Sequence, residues 1–444
     1  MLDIQYIRDN KEKVKDAIFA KNLSKEVSVD DFLTLDGERK KLLAGLEEGR
    51  ATQNRASKEI AQASDVDRQK KIDEMSKLKE SLKEKEQALK KIEGDHAKLY
   101  QAIPNVYADD VPVGKDENTN KIMKKVGEPT NFDFKPKDHM EIGKNLGIID
   151  QEKSAQISGA RFSYLFGGAA MIQFALLHFA METLTNKKII AKLAKSVDNP
   201  SDKPFLPVAP PVIMKQSVMK KMDRLDPIEE RYTLIDYDES DDNDQVLVGS
   251  AEHAIGPLHM NEILKEEDLP IRYVGYSSAF RREAGSYGKD TKGILRLHQF
   301  EKVEMESFST QETGMVEHEL MIAIEEYLMQ ELELPYQVVL KCTGDIGKPN
   351  FRGVDIETWM PGQNKYRETH SADYMTDFQS RRLSTKYKSG KDKNLAYMND
   401  ATAFAIGRMV IAILENNQQA DGSVIIPKAL QKFAGMKKME IRES

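Results

Sequence analysis

The sequence predicts an α+β protein: an N-terminal antiparallel coiled-coil hairpin, then a domain with an antiparallel sheet flanked by helices. This prediction rests on three features. The first hundred residues contain no proline and repeat apolar residues at heptad spacing. The segment 272–308 is rich in β-forming residues, and its second half alternates in character at a spacing of two. Apolar segments at 169–184 and 399–408 predict helices on either side of this hairpin.

The N-terminal helices are predicted from two heptad runs. The first extends from Phe32 to Ala63 and the second from Met75 to Leu99, with a break at 63–67. At about 1.5 Å per residue, each helix would be about 50 Å long, far more than a core helix needs. The segment 68–93 carries nine Lys or Arg against six Asp or Glu. An ordinary solvated coiled coil and an arm that lies along an RNA backbone both fit this charge pattern.

Residues 105–150 are polar and show little periodicity, which is typical of a connector. The predicted division is therefore a helical arm at 1–104, a linker and approach at 105–150, and a sheet domain at 151–444. At 444 residues the chain is longer than one typical domain, which agrees with more than one folded unit.

The composition limits the partners that the chain can have. Lys and Arg number 66 and Asp and Glu number 73, so any RNA contact must come from local basic patches on an acidic protein. The single cysteine, Cys342, excludes an internal disulfide and a zinc site built from cysteines. The N-terminus lacks an apolar signal core, and Gln173 and His178 interrupt the most apolar segment. These features predict a cytoplasmic protein without a membrane partner.

The hairpin at 272–308 has two unlike faces. Its first strand runs into Arg281 and Glu283, and a loop at 284–293 follows. In the second extended run, one face carries Arg296, His298, Phe300, Lys302 and Glu304, and the other carries Leu295, Leu297, Val303 and Met305. Arginines, an aromatic ring and carboxylates together suit a nucleotide, which is a polyanion with a planar base. The pattern alone also fits a half-buried hairpin whose charges simply face water.

Motifs within this hairpin resemble a known family. F-R-x-E at 280–283 and R-x-H-Q-F-x-K-V-E at 296–304 resemble motif 2 of the class II aminoacyl-tRNA synthetases, in the form carried by seryl-tRNA synthetases. Further matches follow in chain order: the helical arm, S-G-x-R-F-x-Y at 158–164, Pro210-Pro211 in the position of motif 1, Ser250-Ala251-Glu252 where the family has T-x-E, Glu368-Thr369-His370-Ser371 as R-E-x-x-S, and Thr402 and Arg408 in motif 3.

Three positions depart from the family pattern. Residues 215–244 lack the usual G-T-G-Q-containing stretch and become strongly acidic at 238–244. Ser250 replaces a threonine, and the approach to motif 3 at 399–403 is less glycine-rich than usual. We assign no chemistry to the segment 215–244 and interpret it as a surface excursion.

For the nucleotide, the resemblance implies ATP as substrate and Mg²⁺ as cofactor. It assigns the α-phosphate to Arg281, the β- and γ-phosphates to Arg296, and the metal to Glu368 and Ser371. It places the adenine between Phe300 and Arg408. The remaining implied ATP contacts are Arg282, Glu283, Leu297, Thr369 and His370.

For the amino acid, the resemblance implies L-serine. Ser250, Ala251 and Glu252 would hold its α-amino group, and Glu304 would accept a hydrogen bond from its hydroxyl. Arg281 and Thr402 would complete the serine site. The serine carboxylate is already ionised at neutral pH, so its attack on ATP needs charge neutralisation and positioning rather than a general base.

The resemblance also implies partners: serine tRNA, held by the arm through its shape and backbone, and a second copy of the chain, with Pro211 at the dimer interface. Neither DNA nor a membrane is expected. The sequence leaves open whether selenocysteine tRNA is charged and how many metal ions bind.

Two other functions fit parts of the sequence. A relative that activates an amino acid for a carrier protein would not need the helical arm, which is intact here. A non-catalytic RNA-binding relative would be expected to lose the arginines of motifs 2 and 3, yet Arg281, Arg296 and Arg408 are present. No phosphate-loop motif occurs around Gly285.

Overall fold

The computed structural model describes residues 1–60, 65–234, 244–284 and 293–441. The chain forms two compact units, Met1–Val106 and Tyr107–Ser444. The segment 107–150 lies in the second unit, and the three-part division of the chain stays a prediction. The acidic stretch at 238–243 and most of the hairpin loop, 285–292, lie outside the described residues.

The first unit is the predicted helical arm. Its helices are α1 (Ile4–Asp9), α2 (Lys11–Ala20), α3 (Val29–Ile60) and α4 (Asp65–Ala102). α3 and α4, with 32 and 38 residues, confirm the two long helices. The predicted break at 63–67 is too long, because α4 already begins at Asp65.

Contacts between α3 and α4 show that the two helices run in opposite directions. Arg50 pairs with Glu86 at 2.8 Å, and Arg39 lies 3.9 Å from Glu93, so the partner's number rises as the first number falls. At the end of the hairpin that carries the chain termini of the unit, the buried ring of Phe32 stacks on Tyr100. The arm is therefore an antiparallel helical hairpin with an aromatic base.

The second unit is built on one eight-stranded sheet. In chain order its strands are β1 (Lys121–Val126), β2 (Leu206–Val208), β3 (Ile271–Phe280), β4 (Gln299–Ser309), β5 (Tyr336–Leu340), β6 (Arg352–Met360), β7 (Lys365–Thr376) and β8 (Tyr397–Ala405). The order across the sheet is β1-β5-β6-β7-β8-β4-β3-β2. Neighbouring strands are antiparallel except β2 and β3, which are parallel. The predicted antiparallel sheet is confirmed, with this parallel pair at one edge.

Helices flank the sheet and small sheets extend it. The helices of this unit are α5 (His139–Leu146), α6 (Gln151–Ser158), α7 (Gly167–Thr185), α8 (Lys187–Ser196), α9 (Gln216–Lys221), α10 (Glu252–Ile255), α11 (Gly314–Glu331), α12 (Phe378–Leu383), α13 (Ile406–Asn416) and α14 (Lys428–Ala434), with 3-10 turns at Glu117–Thr119, Ile228–Glu230 and Glu266–Asp268. The short strands are Ile149–Asp150, Tyr164–Leu165, Ile213–Lys215, Thr233–Leu234, Gln245–Leu247, Ile263–Lys265, Lys386–Ser389, Asp392–Leu395, Val424–Ile425 and Lys438–Met439. Among the described helices, none combines the length and apolarity needed to cross a membrane.

The predicted hairpin is formed by β3 and β4, which pair from Phe280 and Gln299 to Ile271 and Phe308. The second strand begins four residues later than predicted, because residues 295–298 have no strand structure. Arg296 therefore precedes β4 instead of lying on its face. The alternation within β4 holds, since Val303 and Met305 are buried in the main core.

The segment 399–408 is mostly a strand, so the predicted helix is wrong there. β8 covers Tyr397–Ala405, and helix α13 begins only at Ile406. β8 pairs with β4 on one side and β7 on the other, and seven of its nine residues are buried. The alanines of β8 lead directly into the apolar residues of α13, so the whole segment has the composition of one apolar helix.

A fully buried ion pair joins the sheet to α11. Arg272 on β3 donates from Nε and Nη2 to Glu317 at 2.8 and 2.6 Å, and the two side chains are 0% and 1% exposed. Ser307 on β4 donates to the same carboxylate at 2.8 Å. Because each charge is satisfied by the other, the pair is stable only when both partners are present.

Arg272→Met should therefore lower the free energy of unfolding by about 3–5 kcal/mol, because it leaves the Glu317 carboxylate buried without its cation. Urea denaturation followed by the fluorescence of the single tryptophan, Trp359 on β6, measures this loss in the sheet unit. The control Lys432→Gln removes an exposed pair with Glu182 and should cost less than about 1 kcal/mol. Equal losses for the two variants would contradict the buried-pair interpretation.

Candidate active site

Cavities open beside the sheet where β3 ends and β4 begins, and residues of β8 and β7, the next two strands, complete their lining. The first cavity, of about 570 Å³, and the second, of about 180 Å³, share six lining residues: Arg281, Glu283, Arg296, Lys302, Glu368 and Thr402. Arg281, Arg296, Phe300 and Arg408, which the sequence predicts to act together, all line the second cavity. They come from the hairpin and from helix α13, so only the fold brings them together.

The hairpin provides the cationic wall. Arg281 follows the end of β3, and its Nε donates to the carbonyl oxygen of Gly249 at 3.0 Å. The centre of its guanidinium lies 5.3 Å from the centroid of the Phe300 ring. Thus Nε of the guanidinium is hydrogen-bonded to the protein, and one face of the group lies over an aromatic ring. These two contacts fix the direction in which its terminal nitrogens point.

Arg296 is held by Glu283. Its Nη1 donates to Glu283 Oε2 at 2.5 Å, and Glu283 has a left-handed backbone with φ of 52°. Arg161 donates to the carbonyl oxygen of Glu283 at 3.2 Å, which supports this uncommon conformation. The chain reversal after β3 therefore turns a carboxylate towards the second arginine of the motif.

Strand β7 supplies the opposite wall through a β-bulge. Ile356 pairs with His370 and Glu357 with Glu368, so Thr369 is an extra residue in β7. In a regular strand, residues three apart lie on opposite faces. The bulge places Glu368 and Ser371 on the same side, and both line the first cavity. The strand is continuous here, so these residues lie within β7 and not in a turn at its end.

Glu368 is paired with the motif 3 arginine. Arg408 donates from Nη1 to the carbonyl oxygen of Glu368 at 2.8 Å and lies 3.1 Å from its Oε1. Burial opposes ionisation of Glu368, but Arg408 and Lys341 lower its pKa. Lys341 also donates to Ser371 at 2.8 Å. Both predicted metal ligands are thus in place on one cavity wall, with a carboxylate that is ionised.

The donor set can be tested against a divalent cation. Among the described residues, no group of three His, Cys, Asp or Glu side chains could hold a metal ion by itself. Mg²⁺ commonly binds through one or two carboxylates together with the phosphates of a substrate. The carboxylate of Glu368 and the hydroxyl of Ser371 fit that mode, in which a nucleotide supplies the other oxygens.

Glu304 lies beneath the cavity floor and is only 1% exposed. Ser250 donates its hydroxyl to Glu304 Oε1 at 2.5 Å, and the ammonium of Lys302 pairs with the same oxygen. Oε2 has no hydrogen-bond partner within the described part of the chain. Burial raises the pKa of Glu304, and Lys302 opposes that effect. One oxygen of this carboxylate is therefore held, and the other is buried without a hydrogen-bond partner among the described residues.

Glu252 lines the first cavity together with groups that sequence reasoning missed. Burial would raise its pKa, but Arg224 and His253 lower it to about 2. The missed lining residues of this cavity are Arg224, Glu230, Arg231, His253, Lys302, Asp373 and Asp400. Lys302 lies on the predicted polar face of the hairpin and Asp400 lies in the approach to motif 3. The sequence could therefore have identified both as site residues. Arg224 lies in the segment to which the sequence assigned no chemistry.

Several predicted site residues lie outside the cavity lining. Ser250 and Ala251 are buried under the floor, where Ser250 acts through Glu304. Arg282 is exposed and lines neither the first nor the second cavity. His370 is 1% exposed, and its ring lies 5.7 Å from that of Phe404, on the core side of β7. Leu297 and Thr369, predicted to contact ATP, line the second cavity, and Thr402, predicted to contact serine, lines both cavities.

Comparisons with known proteins agree along the whole chain. Family profiles described as "Seryl-tRNA synthetase N-terminal domain" and "tRNA synthetase class II core domain (G, H, P, S and T)" match residues 1–107 and 232–417. A serine–tRNA ligase from Thermodesulfovibrio yellowstonii is 38% identical over 443 residues, covering 98% of this chain and 99% of the relative.

Two solved structures have the same fold over their full length. The crystal structure of seryl-tRNA synthetase from Pyrococcus horikoshii complexed with ATP has a TM-score of 0.89 at 35% identity, with 100% of both chains covered. That of cytoplasmic serine–tRNA ligase from Naegleria fowleri in complex with AMP has a TM-score of 0.84 at 28% identity, covering 100% of this chain and 99% of that one.

The position of His370 predicts a pH effect. Burial lowers its pKa to about 3, whereas an imidazole in the unfolded chain has a pKa of about 6.5. The neutral ring therefore contributes stability that is complete above pH 6.5 and is lost as the pH falls towards 3. His370→Gln should reduce the loss of unfolding free energy between pH 7 and pH 5 by about 2 kcal/mol.

Urea denaturation at both pH values, followed by Trp359 fluorescence, measures this difference. Replacement of the exposed His178 by Gln should keep the wild-type difference. A pH response of His370→Gln identical to that of the wild type would show that the ring is protonated in the folded protein.

Proposed function

This chain belongs to the seryl-tRNA synthetases, and from that membership we infer that it activates L-serine with ATP and then transfers serine to the 3′ end of serine tRNA. Its activity is that of an aminoacyl-tRNA ligase, with seryl-adenylate and pyrophosphate as the products of the first step. The observation that supports a working site is the convergence of Arg281, Arg296, Phe300 and Arg408 on one cavity.

We propose that the second cavity binds the nucleotide. Its lining pairs an aromatic ring, Phe300, with two guanidinium groups that can lie over a base, those of Arg281 and Arg408. Because Arg281 already covers one face of Phe300, the adenine would bind between Phe300 and Arg408. Glu283 and the backbone near Leu297 would contact the edge of the base, as the family resemblance implies.

Arg281 would neutralise the α-phosphate during attack. It lines both cavities, so it lies where a serine carboxylate and the α-phosphorus would meet. Its Nε is held by Gly249, and the remaining fork can donate to phosphate oxygens as charge develops. Pre-positioned donors of this kind lower the barrier because they need little rearrangement at the moment of reaction.

Arg296 would bind the β- and γ-phosphates after releasing Glu283. In the present structure its terminal nitrogen is paired with that carboxylate at 2.5 Å. Triphosphate carries more negative charge than one carboxylate, so the arginine would exchange one partner for a stronger one. Glu283 would then be free to contact the nucleobase.

We propose that Glu368 and Ser371 hold Mg²⁺ once ATP is bound. The family implies this cofactor, and these two side chains present oxygens to the cavity. When bound, the ion would supply positive charge to the phosphate oxygens. Arg408, which contacts Glu368, would keep that carboxylate oriented.

The first cavity would bind serine. Glu252 offers an ionised carboxylate for the α-ammonium group, and Oε2 of Glu304 is free to accept a hydrogen bond from the hydroxyl. Alanine lacks that hydroxyl and would leave Oε2 buried without a partner, which is costly. Threonine must be excluded by the size of the pocket around Thr402 and Ser250.

The arm and the assembly complete the proposal. The helical hairpin α3–α4 would lie along serine tRNA and contact its backbone, which is how RNA shape is commonly recognised. We further propose a cytoplasmic homodimer with Pro211 at its interface. DNA and membranes are not proposed as partners, and selenocysteine tRNA stays open.

Serine-dependent exchange of pyrophosphate into ATP tests the function. The wild type should show exchange with serine above every other amino acid of a complete panel. Arg281→Ala should reduce this exchange at least a thousandfold, since it removes a preorganised donor to the transition state, worth about 3–4 kcal/mol or more. The matched control is Arg282→Ala, the adjacent arginine outside the cavity lining, which should keep most of the activity.

Circular dichroism and the unfolding midpoint show whether Arg281→Ala is folded. An active, folded Arg281→Ala protein would remove the α-phosphate role. Exchange stimulated by an amino acid other than serine would overturn the proposed substrate.

The proposed role of Glu304 predicts a change in the selectivity for serine over alanine. Glu304→Ala should reduce the preference for serine over alanine by about tenfold or more, because a hydrogen bond to a charged group contributes about 1.5–3 kcal/mol. The KM for ATP should change much less. The same assay with serine and alanine measures the ratio, and Glu304→Gln, which preserves the side-chain shape, controls for loss of packing. Unchanged discrimination in both variants would contradict the role of Glu304.

A further inference from the structure

Two segments that depart from the family pattern meet in one ion pair. Residues 215–244 lack the usual G-T-G-Q-containing stretch, and the approach to motif 3 carries Asp400. Arg224, from the first segment, donates from Nη2 to Asp400 Oδ2 at 3.1 Å. Both side chains line the first cavity. The two departures are therefore in contact at the site that would bind the amino acid.

Arg224 also contacts the predicted ammonium ligand. Its Nε lies 2.8 Å from Oε1 of Glu252. The side chains of Arg224, Glu252 and Asp400 are 16%, 12% and 5% exposed, so water screens these contacts only weakly. A single guanidinium thus bridges two carboxylates, which its planar fork allows and a lysine ammonium would not.

The backbone around Arg224 is anchored to hold this position. The preceding residue, Asp223, has a left-handed backbone with φ of 60°. Its Oδ1 lies 2.7 Å from Nη1 of Arg382 and 2.7 Å from Nζ of Lys348. The carbonyl oxygen of Arg224 accepts a hydrogen bond from Nε of Arg231 at 2.9 Å. The segment that bears Arg224 is therefore fixed at its backbone and at the adjacent side chain.

The floor behind this pair contains another carboxyl group. Glu306 on β4 lies directly opposite Asp400 on β8 and is 0% exposed. Neither of its carboxyl oxygens has a hydrogen-bond partner among the described residues. Burial raises the pKa of Glu306, and Asp400 adds to that effect. Asp400 is thus close enough to Glu252 and Glu306 to be affected by their charges, and Arg224 is a cation that contacts it.

We propose that Arg224 and Asp400 form a compensated pair that positions Glu252 for the α-ammonium group of the amino acid. This proposal rests on the proposed function, because it assumes that Glu252 binds that ammonium. Arg224 forms an ion pair with Glu252 Oε1. Because Arg224 is also paired with Asp400, it neutralises only part of the Glu252 charge. Glu252 therefore keeps both a fixed orientation and enough negative charge to bind a second cation.

Loss of either Arg224 or Asp400 alone is expected to weaken binding of the amino acid by Glu252. Without Arg224, the carboxylates of Glu252 and Asp400 lose their common cation, and the repulsion between them displaces Glu252. Without the Asp400 charge, Arg224 interacts with Glu252 alone and competes with the substrate ammonium. Replacing both by amides leaves the net charge of the pocket unchanged, and two amides can hydrogen-bond to each other.

The test is a double-mutant cycle with Arg224→Gln, Asp400→Asn and the double variant, in the full-length protein. Steady-state pyrophosphate exchange gives KM for serine, KM for ATP and kcat. Each single variant should raise KM for serine by about tenfold, and the double variant should return it to within about threefold of the wild type. KM for ATP should stay within about twofold throughout, because the nucleotide lies in the second cavity.

A structural role alone predicts a different result. Loss of a buried ion pair that only supports the fold would lower the unfolding midpoint and the active fraction, without separating the serine KM from the ATP KM. Lys432→Gln and the double change with Glu182→Gln remove an exposed pair of the same charge type and serve as controls. Both should leave the two KM values unchanged.

Three outcomes would overturn the proposal. They are an unchanged serine KM in both single variants, a lower serine KM in Arg224→Gln, and a double variant no better than the worse single variant. Failure of the proposed function is distinguishable, because the wild type itself would then show no serine-dependent exchange. If Arg224→Gln does not fold, Asp400→Asn and the double variant still decide the case.

Discussion

The constraint that governs this site is that a carboxyl group buried on the cavity side of the sheet stays ionised only where an opposite charge or a hydrogen-bond donor contacts it. Strand β4 places Val303 and Met305 in the core. Its carboxyl side chains Glu304 and Glu306 are only 1% and 0% exposed. A carboxylate removed from water is tolerated only when cations or donors reach it. Lys302 and Ser250 do this for Glu304, and Arg224 does it for Glu252 and Asp400. Most buried carboxylates of the site are therefore paired within the protein, and only a few polar groups remain to bind ligands.

Much of the fold follows from local pattern, and the errors have local causes. The arm was predictable because heptads persist over two long helices, and the hairpin because its side chains alternate. The prediction of a helix at β8 is wrong because the alanines of this strand lead directly into the apolar residues of α13. Strand β1 was missed because it lies at the sheet edge and exposes nearly all of its side chains, so it has the polarity of a connector.

The site was only partly predictable, since its motifs fix residue types while the fold fixes their directions. Arg281, Phe300 and Arg408 were found through motifs and do share a cavity. Arg282 and His370 belong to the same motifs, yet one is exposed to solvent and the other faces the core. Arg224 had no motif at all, and its partners lie 28 and 176 residues away in sequence. Contacts of that kind exist only after the sheet has formed.

The bulge at Thr369 limits how this region can change in length. The extra residue in β7 reverses the face on which the following side chains lie. Glu368 and Ser371 therefore share a cavity wall only while that residue is present. A similar irregularity skips Ala403 in β8, between Thr402 and the start of α13. A point substitution at either buried position would disturb local packing only. A one-residue deletion would in addition turn the neighbouring side chains to the opposite face of the sheet, so a change of length here would cost more than a change of residue.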